Sequence, residues 1–174
     1  MKEFGRLSIY QTDKVLYPFC FRFLYHSQKL IRMYWLHGKH SKISQIEGNH
    51  HIVHSKTIPF WLKDAWEQIQ HYLIGYRFSL NFPHEWIEQN PSNITAWKKL
   101  QTISYGRTIS YKAFAQLASL KHPRIAGRVL SQNPFPLLYP CHRVIRSDKT
   151  LGGFTPDLSI KAYLLALEQH GNVH

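Results

Sequence analysis

Apolar and aromatic residues crowd two early runs, Val15 to Tyr25 and Lys29 to Leu36, separated by the polar triplet His26-Ser27-Gln28. Both are rich in aromatic and β-branched residues, which predicts a β-hairpin. His37 to Ser55 is polar and contains Gly38 and Gly48, so it predicts a loop. Leu62, Ala65, Trp66, Ile69, Tyr72 and Leu73 then recur at helical spacing. Arg77 to Phe82 predicts one more strand, ended by Pro83.

From about Asn90 the pattern turns helical. Pro91-Ser92 is a start signal, and Ile94, Trp97, Leu100 and Ile103 follow at three-residue steps before Gly106. Ser110 predicts the cap of a second helix carrying Tyr111, Phe114, Leu117 and Ala118 on one face. Lys121-His122-Pro123 predicts a tight turn, with Pro123 opening a third helix through Val129 and Leu130. Two short helices joined this way suggest a helix-turn-helix, a signal shared with ordinary αα-hairpins. A last helix is expected from Asp157 or Ser159 to Gln169, stopping near Gly171. The change of pattern puts a domain boundary near residues 83–93: an N-terminal α/β supporting domain, 1–90, then a C-terminal domain, 91–174.

Hydrophobic residues make up 44% of the 174 positions, which excludes a disordered chain. No apolar run approaches the roughly 18 residues of a membrane span, and the start lacks the apolar stretch of a secretory leader. A soluble, cytoplasmic protein that does not contact membranes is expected. Two cysteines, Cys20 and Cys141, cannot form a disulfide framework or a four-thiolate zinc site. Cys20, His26, His50, His51 and His54 are the loose candidates for metal ligands; lacking a second N-terminal cysteine, the chain is expected to hold no metal.

Charge changes the picture more. The formal net charge is +12, and no acidic residue falls between Glu88 and Asp148. Lys98, Lys99, Arg107, Lys112, Lys121, Arg124, Arg128, Arg143 and Arg146 all do. Such a stretch is self-repelling unless a polyanion lies against it, and nucleic acid is the commonest polyanion.

Tyr139-Pro140-Cys141-His142-Arg143-Val144 is the candidate chemical centre. Cysteine is a nucleophile as thiolate, and a nearby imidazole or cation favours that form. If the segment is extended, Cys141 and His142 point to opposite faces, and a bridging water is the natural proton path. Cys-His alone favours a small buried cysteine beside a satisfied core histidine.

The wider pattern decides differently. Asn133-Pro134-Phe135-Pro136-Leu137-Leu138-Tyr139-Pro140-Cys141-His142-Arg143-Val144-Ile145, followed by Leu151-Gly152-Gly153-Phe154, resembles the signature of the O6-alkylguanine-DNA alkyltransferases. The likeness takes in Ala96-Trp97, Tyr105 to Tyr111, Arg124 to Val129 and Lys161 to Glu168. It covers roughly residues 92–170, while the first ninety match only as a plausible partner domain.

That resemblance implies an α+β fold: a small N-terminal domain with an antiparallel, ribonuclease-H-like sheet, then a mostly helical domain with a winged-helix-like helix-turn-helix. It implies a single-turnover methyltransferase repairing O6-alkylguanine, and O4-alkylthymine, in double-stranded DNA without a cofactor. Cys141 would accept the alkyl group, with His142 as base and Glu168 as its orienter. Asn133 would brace the active-site loop. Tyr111 and Lys161 would hydrogen-bond the guanine or the cysteine loop. The carbonyls of Cys141 and Val144, the amide of Thr155, and Phe154 would form the pocket. Arg124 would enter the duplex where the nucleotide leaves, with Ala126, Gly127, Arg128 and Tyr111 also against DNA in the minor groove. A monomer is expected, lying on the nucleoid if the source is bacterial. Ser104, Ile125 and Thr155-Pro156-Asp157 depart from the family pattern. The competing readings are a cysteine hydrolase or acyltransferase, and a non-catalytic lesion-binding or regulatory DNA-binding protein.

Overall fold

The computed structural model describes residues 7–11, 20–36, 52–54, 58–87, 89–155 and 157–171. Strands β1 (Leu7–Gln11), β2 (Cys20–His26) and β3 (Lys29–Leu36) pair antiparallel in sequence order. Ser27 and Gln28 close the hairpin, both with positive φ (45° and 63°). This is the two-residue turn whose twist suits paired strands. The hairpin is as expected, although residues 15–19 lie outside the described residues.

Two expectations are corrected. The polar stretch was expected to be loop throughout, but Ile52–His54 forms β4, parallel to β1. Its Ile-Val pair is β-branched, and three paired residues suffice to extend the sheet. The rest of that stretch, with His37, His40, His50 and His51, lies outside the described residues. Arg77 to Phe82 is not a strand. Gly75 (φ 81°) turns the chain, and the amides of Tyr76 and Arg77 donate to the His71 carbonyl at 2.9 and 3.2 Å. The Gln68 side chain then occupies both backbone groups of Asn81, accepting from its N–H at 2.9 Å and donating to its carbonyl at 2.8 Å. A side chain thus satisfies the backbone that a strand partner would have bonded.

The helices follow their sequence signals. Helix α1 (Phe60–Leu73) buries Leu62, Ala65, Ile69, Tyr72 and Leu73. Asn90 caps α2 (Pro91–Leu100) by accepting from the Ser92 amide, and Ser110 caps α3 (Tyr111–Leu117) by accepting from Ala113. Pro123 opens α4 (Pro123–Ser131), and Asp157 caps α5 (Leu158–His170). Two-residue strands β5 (Ile109–Ser110) and β6 (Val144–Ile145) pair in parallel.

One continuous core runs from Phe21 and Phe23 through α1 and Trp97 to Phe135 and Leu164. Trp97 donates its indole N–H to the Val129 carbonyl at 2.8 Å, tying α2 to α4. The Met33 amide donates to the Pro134 carbonyl at 2.9 Å, so the sheet holds the loop that leads to Cys141.

Candidate active site

Cys141–Arg143 forms one turn of 3-10 helix between Pro140 and β6. An extended segment was one expectation here; the turn replaces it. Its tighter winding has a consequence that strand geometry would forbid. His142 and Arg143 both reach Glu168 on α5, the imidazole from Nε2 at 2.7 Å and the guanidinium from Nε at 2.9 Å. All three side chains are buried, Glu168 and His142 completely.

Glu168 is the most heavily bonded group in the site. Its Oε1 also accepts from Arg143 Nη2 at 3.0 Å and from the Tyr72 hydroxyl of α1; its Oε2 accepts from the Gly106 amide at 2.9 Å. Burial pushes this carboxyl up, but the hydrogen bonds and charges of His142 and Arg143 outweigh it and hold the group at about 2. Glu168 is therefore a carboxylate, and a carboxylate only accepts. So His142 carries its proton on Nε2, and Nδ1 holds the lone pair. Nδ1 is buried with no hydrogen-bond partner among the described residues. Burial lowers the affinity of His142 for a second proton, against the pull of Glu168. The result is a neutral imidazole held in one orientation.

Cys141 is 8% exposed. Burial pushes its thiol up, while a hydrogen bond from Asn133 and the charge of Lys161 pull it down. Asn133 also donates from Nδ2 to the Tyr139 carbonyl at 2.7 Å and accepts from the Phe135 amide at 3.0 Å. It thereby braces the turn Asn133-Pro134-Phe135.

Lys161 shares the inner face of α5 with Glu168, two turns away, and is fully buried. Its ammonium donates to the carbonyls of Val144 at 2.6 Å and Leu151 at 2.5 Å. Burial lowers its pKa to about 8. The Tyr111 hydroxyl donates to the Gly153 carbonyl at 3.0 Å. These contacts run to the Val144 carbonyl beside the cysteine turn and to the loop at residues 151–153. Gly152 has φ 69°, and a Cβ there would lie 2.7 Å from the Tyr111 ring, so the loop closes on Tyr111 only with glycine. The Val144 carbonyl is thus tied to the Lys161 ammonium. Phe154 is partly buried beside Lys161, and Thr155 is exposed; Pro156 is outside the described residues.

On α4, Arg124, Ile125 and Arg128 face solvent, whereas Ala126, Val129 and Leu130 face the core. This corrects one expectation: Ala126 is completely buried, so its methyl serves helix packing and does not face a DNA surface. Gly127 sits beside the Tyr111 ring. Arg143 leaves the expected basic surface too, being committed to Glu168, but the other eight cations of the acid-free stretch are all exposed.

Comparison with known proteins covers both halves. Residues 91–170 match the family model for the 6-O-methylguanine DNA methyltransferase DNA-binding domain. The chain is 37% identical over 103 residues to a DNA base-flipping protein of Thermus thermophilus, covering 59% of this chain and 69% of that one. It is 34% identical over 113 residues to the methylated-DNA–protein-cysteine methyltransferase of Methanosarcina barkeri, covering 63% of this chain and 70% of that one. The chain belongs to the methylated-DNA–protein-cysteine methyltransferase family. Against the human methyltransferase the match is shorter, spanning 36% of that protein's length. In three dimensions the chain resembles Mycobacterium tuberculosis OGT solved in complex with DNA, with 25% identity, a TM-score of 0.77 and 94% of each chain covered. That likeness includes the N-terminal half, which the family model leaves out.

Three groups that bond Glu168 carry no signal of that bond in the sequence: Arg143, the Gly106 amide and Tyr72. In the sequence Arg143 is one of the basic residues of the acid-free stretch, Gly106 follows a helical pattern, and Tyr72 recurs at helical spacing. Nothing in helical spacing marks a hydroxyl that will meet a carboxylate 96 residues away.

Proposed function

We propose that the chain repairs O6-alkylguanine in double-stranded DNA by moving the alkyl group irreversibly onto Cys141, once per molecule. The observation that carries this reading is the buried Glu168–His142 pair, which leaves an unpartnered imidazole nitrogen in the residue next to the thiol. His142 Nδ1 takes the thiol proton through a bridging water. The thiolate attacks the alkyl carbon, the S–C bond forms as the C–O6 bond breaks, and the guanine keeps the electron pair and takes up a proton. Glu168 holds the imidazolium that forms, as the third member of a nucleophile–base–orienter chain. No cofactor is needed, because the thiolate is itself the nucleophile. The thioether has no route to hydrolysis, so the product is an inactive protein.

A stacked, paired guanine hides O6 from a protein thiol, so the nucleotide must leave the duplex. Arg124, exposed near the start of α4, refills the stack, while Gly127, Arg128 and Tyr111 lie nearby against the minor groove. The extruded base meets the Cys141 and Val144 carbonyls, Phe154 and the Thr155 amide; O4-alkylthymine fits the same chemistry. The α3–α4 pair acts as a winged-helix-like helix-turn-helix of a domain from residue 91, with a ribonuclease-H-like sheet in residues 1–90. A cytoplasmic monomer suits this work. Among the described residues, no helix is long and apolar enough to cross a membrane.

Lesion binding without reaction is the competing reading; it gives Cys141 and its base no task. Titration with duplex carrying a radiolabelled O6-methyl group separates the possibilities. Transfer should stop at one label per protein molecule. Continued release of label would mean a hydrolase, and binding without transfer a lesion sensor.

A further inference from the structure

We propose that Tyr72, brought from α1 in the N-terminal half, is a positioning residue of the Cys141–His142–Glu168 chain: its hydroxyl, donated to Glu168 Oε1, weakens the carboxylate's pull on His142 and so helps keep the imidazole free to accept a proton. The inference rests on the alkyl-transfer reading of the site.

The geometry is specific. Tyr72 is 1% exposed, its ring edge-on to Tyr105 at 5.8 Å. Its hydroxyl bonds Glu168 Oε1, the same oxygen that takes the His142 Nε2 proton, and lies 3.3 Å from that nitrogen. A phenylalanine would fill nearly the same volume without burying a polar group, and a buried hydroxyl is costly unless bonded. Here the bond goes to a carboxylate that Arg143 already neutralises. Neutralising charge is thus not its task; dividing the carboxylate's accepting power is. Each donor on Oε1 draws electron density from the bond that would stabilise imidazolium.

The charged and titratable groups around His142 come from four places. Tyr72 is on α1, Tyr105 lies before β5, Cys141 and Arg143 flank His142 in the 3-10 turn, and Lys161 and Glu168 are on α5. Burial and Glu168 together keep the Tyr72 phenol protonated well above its ordinary range, so it remains a donor at any working pH. Replacing it by phenylalanine removes one hydrogen bond and no charge.

Two readouts test this on the full chain: the His142 titration midpoint by NMR without DNA, and the pH dependence of single-turnover methyl transfer to Cys141. In Tyr72→Phe both midpoints should rise by about one pH unit, the scale of one charge-assisted hydrogen bond. Transfer at a pH below both midpoints should then fall about tenfold while the high-pH plateau changes little. Installing 3-fluorotyrosine at position 72 keeps volume and hydroxyl but strengthens the donor, so it should move both midpoints down; it also serves if Tyr72→Phe does not fold. A lower melting temperature with unmoved midpoints would make Tyr72 a packing residue and overturn the proposal. No transfer by the unsubstituted chain, with the NMR midpoint still shifting in Tyr72→Phe, would refute alkyl transfer but leave the Tyr72 assignment standing.

Discussion

Glu168→Gln should slow methyl transfer by two to three orders of magnitude, roughly the range of a lost general-base arrangement, and should also destabilise the protein. The second effect comes from Arg143. In the folded chain the guanidinium donates to both carboxylate oxygens and to the Ile103 carbonyl at 2.6 Å. A glutamine leaves that buried cation without a counter-charge, and breaking such a pair costs about 3 kcal/mol or more. The pH dependence should agree in sign and size. Glu168 is held at about 2, against an ordinary value of 4.5. Its stabilisation is present above the ordinary value and is lost as the pH falls toward 2. The full swing is about 3 kcal/mol. Chemical denaturation across that range should show Glu168→Gln less stable at neutral pH and flatter in acid, with DNA affinity at neutral pH nearly unchanged. An unaltered transfer rate would remove Glu168 from the mechanism.

Arg124→Ala should slow repair of duplex DNA about thirty- to a hundredfold, as expected if refilling the stack is worth part of the few kcal/mol that extrusion costs. Arg124 is suited to this because it stands exposed on α4 beside Ile125, while the inward face of the same helix is locked in the core. Lys99→Ala removes an equal charge from α2 and should lose only a few-fold in affinity, in line with one phosphate contact. The free base O6-benzylguanine needs no extrusion. Given a pocket that admits it, its reaction with Cys141 should be nearly the same in both variants. Equal defects of Arg124→Ala on duplex and free base would mean that Arg124 supports the fold or the pocket.

How much of this was legible depended on how local the signal was. Asn90, Ser110 and Asp157 cap their helices through neighbouring amides, so three helix starts were readable from a few residues each. The hairpin was equally local. By contrast, β4 is three residues inside a polar stretch and exists because β1 lies beside it. Residues 77–82 carry strand-like residues, yet Gln68, thirteen positions before Asn81, takes the hydrogen bonds a strand would need. In the site, Cys141, His142 and Glu168 were named through their resemblance to a family. The 3-10 turn that aims His142 and Arg143 at one carboxylate was not readable, since an extended segment fits those residues as well. Ala126, expected against DNA by resemblance, instead falls in the buried stripe of α4. Tyr72 was legible as core and not as chemistry, because its partner is set by tertiary structure alone.

The most direct test of alkyl transfer is the intact mass of the protein after incubation with duplex containing O6-methylguanine, followed by mapping of its peptides. The chain should gain the mass of one methylene, carried by the peptide that contains Cys141, and Cys141→Ala should gain nothing under the same conditions. An unchanged mass, or a methyl group found on Cys20 instead, would contradict the assignment of Cys141 as the alkyl acceptor.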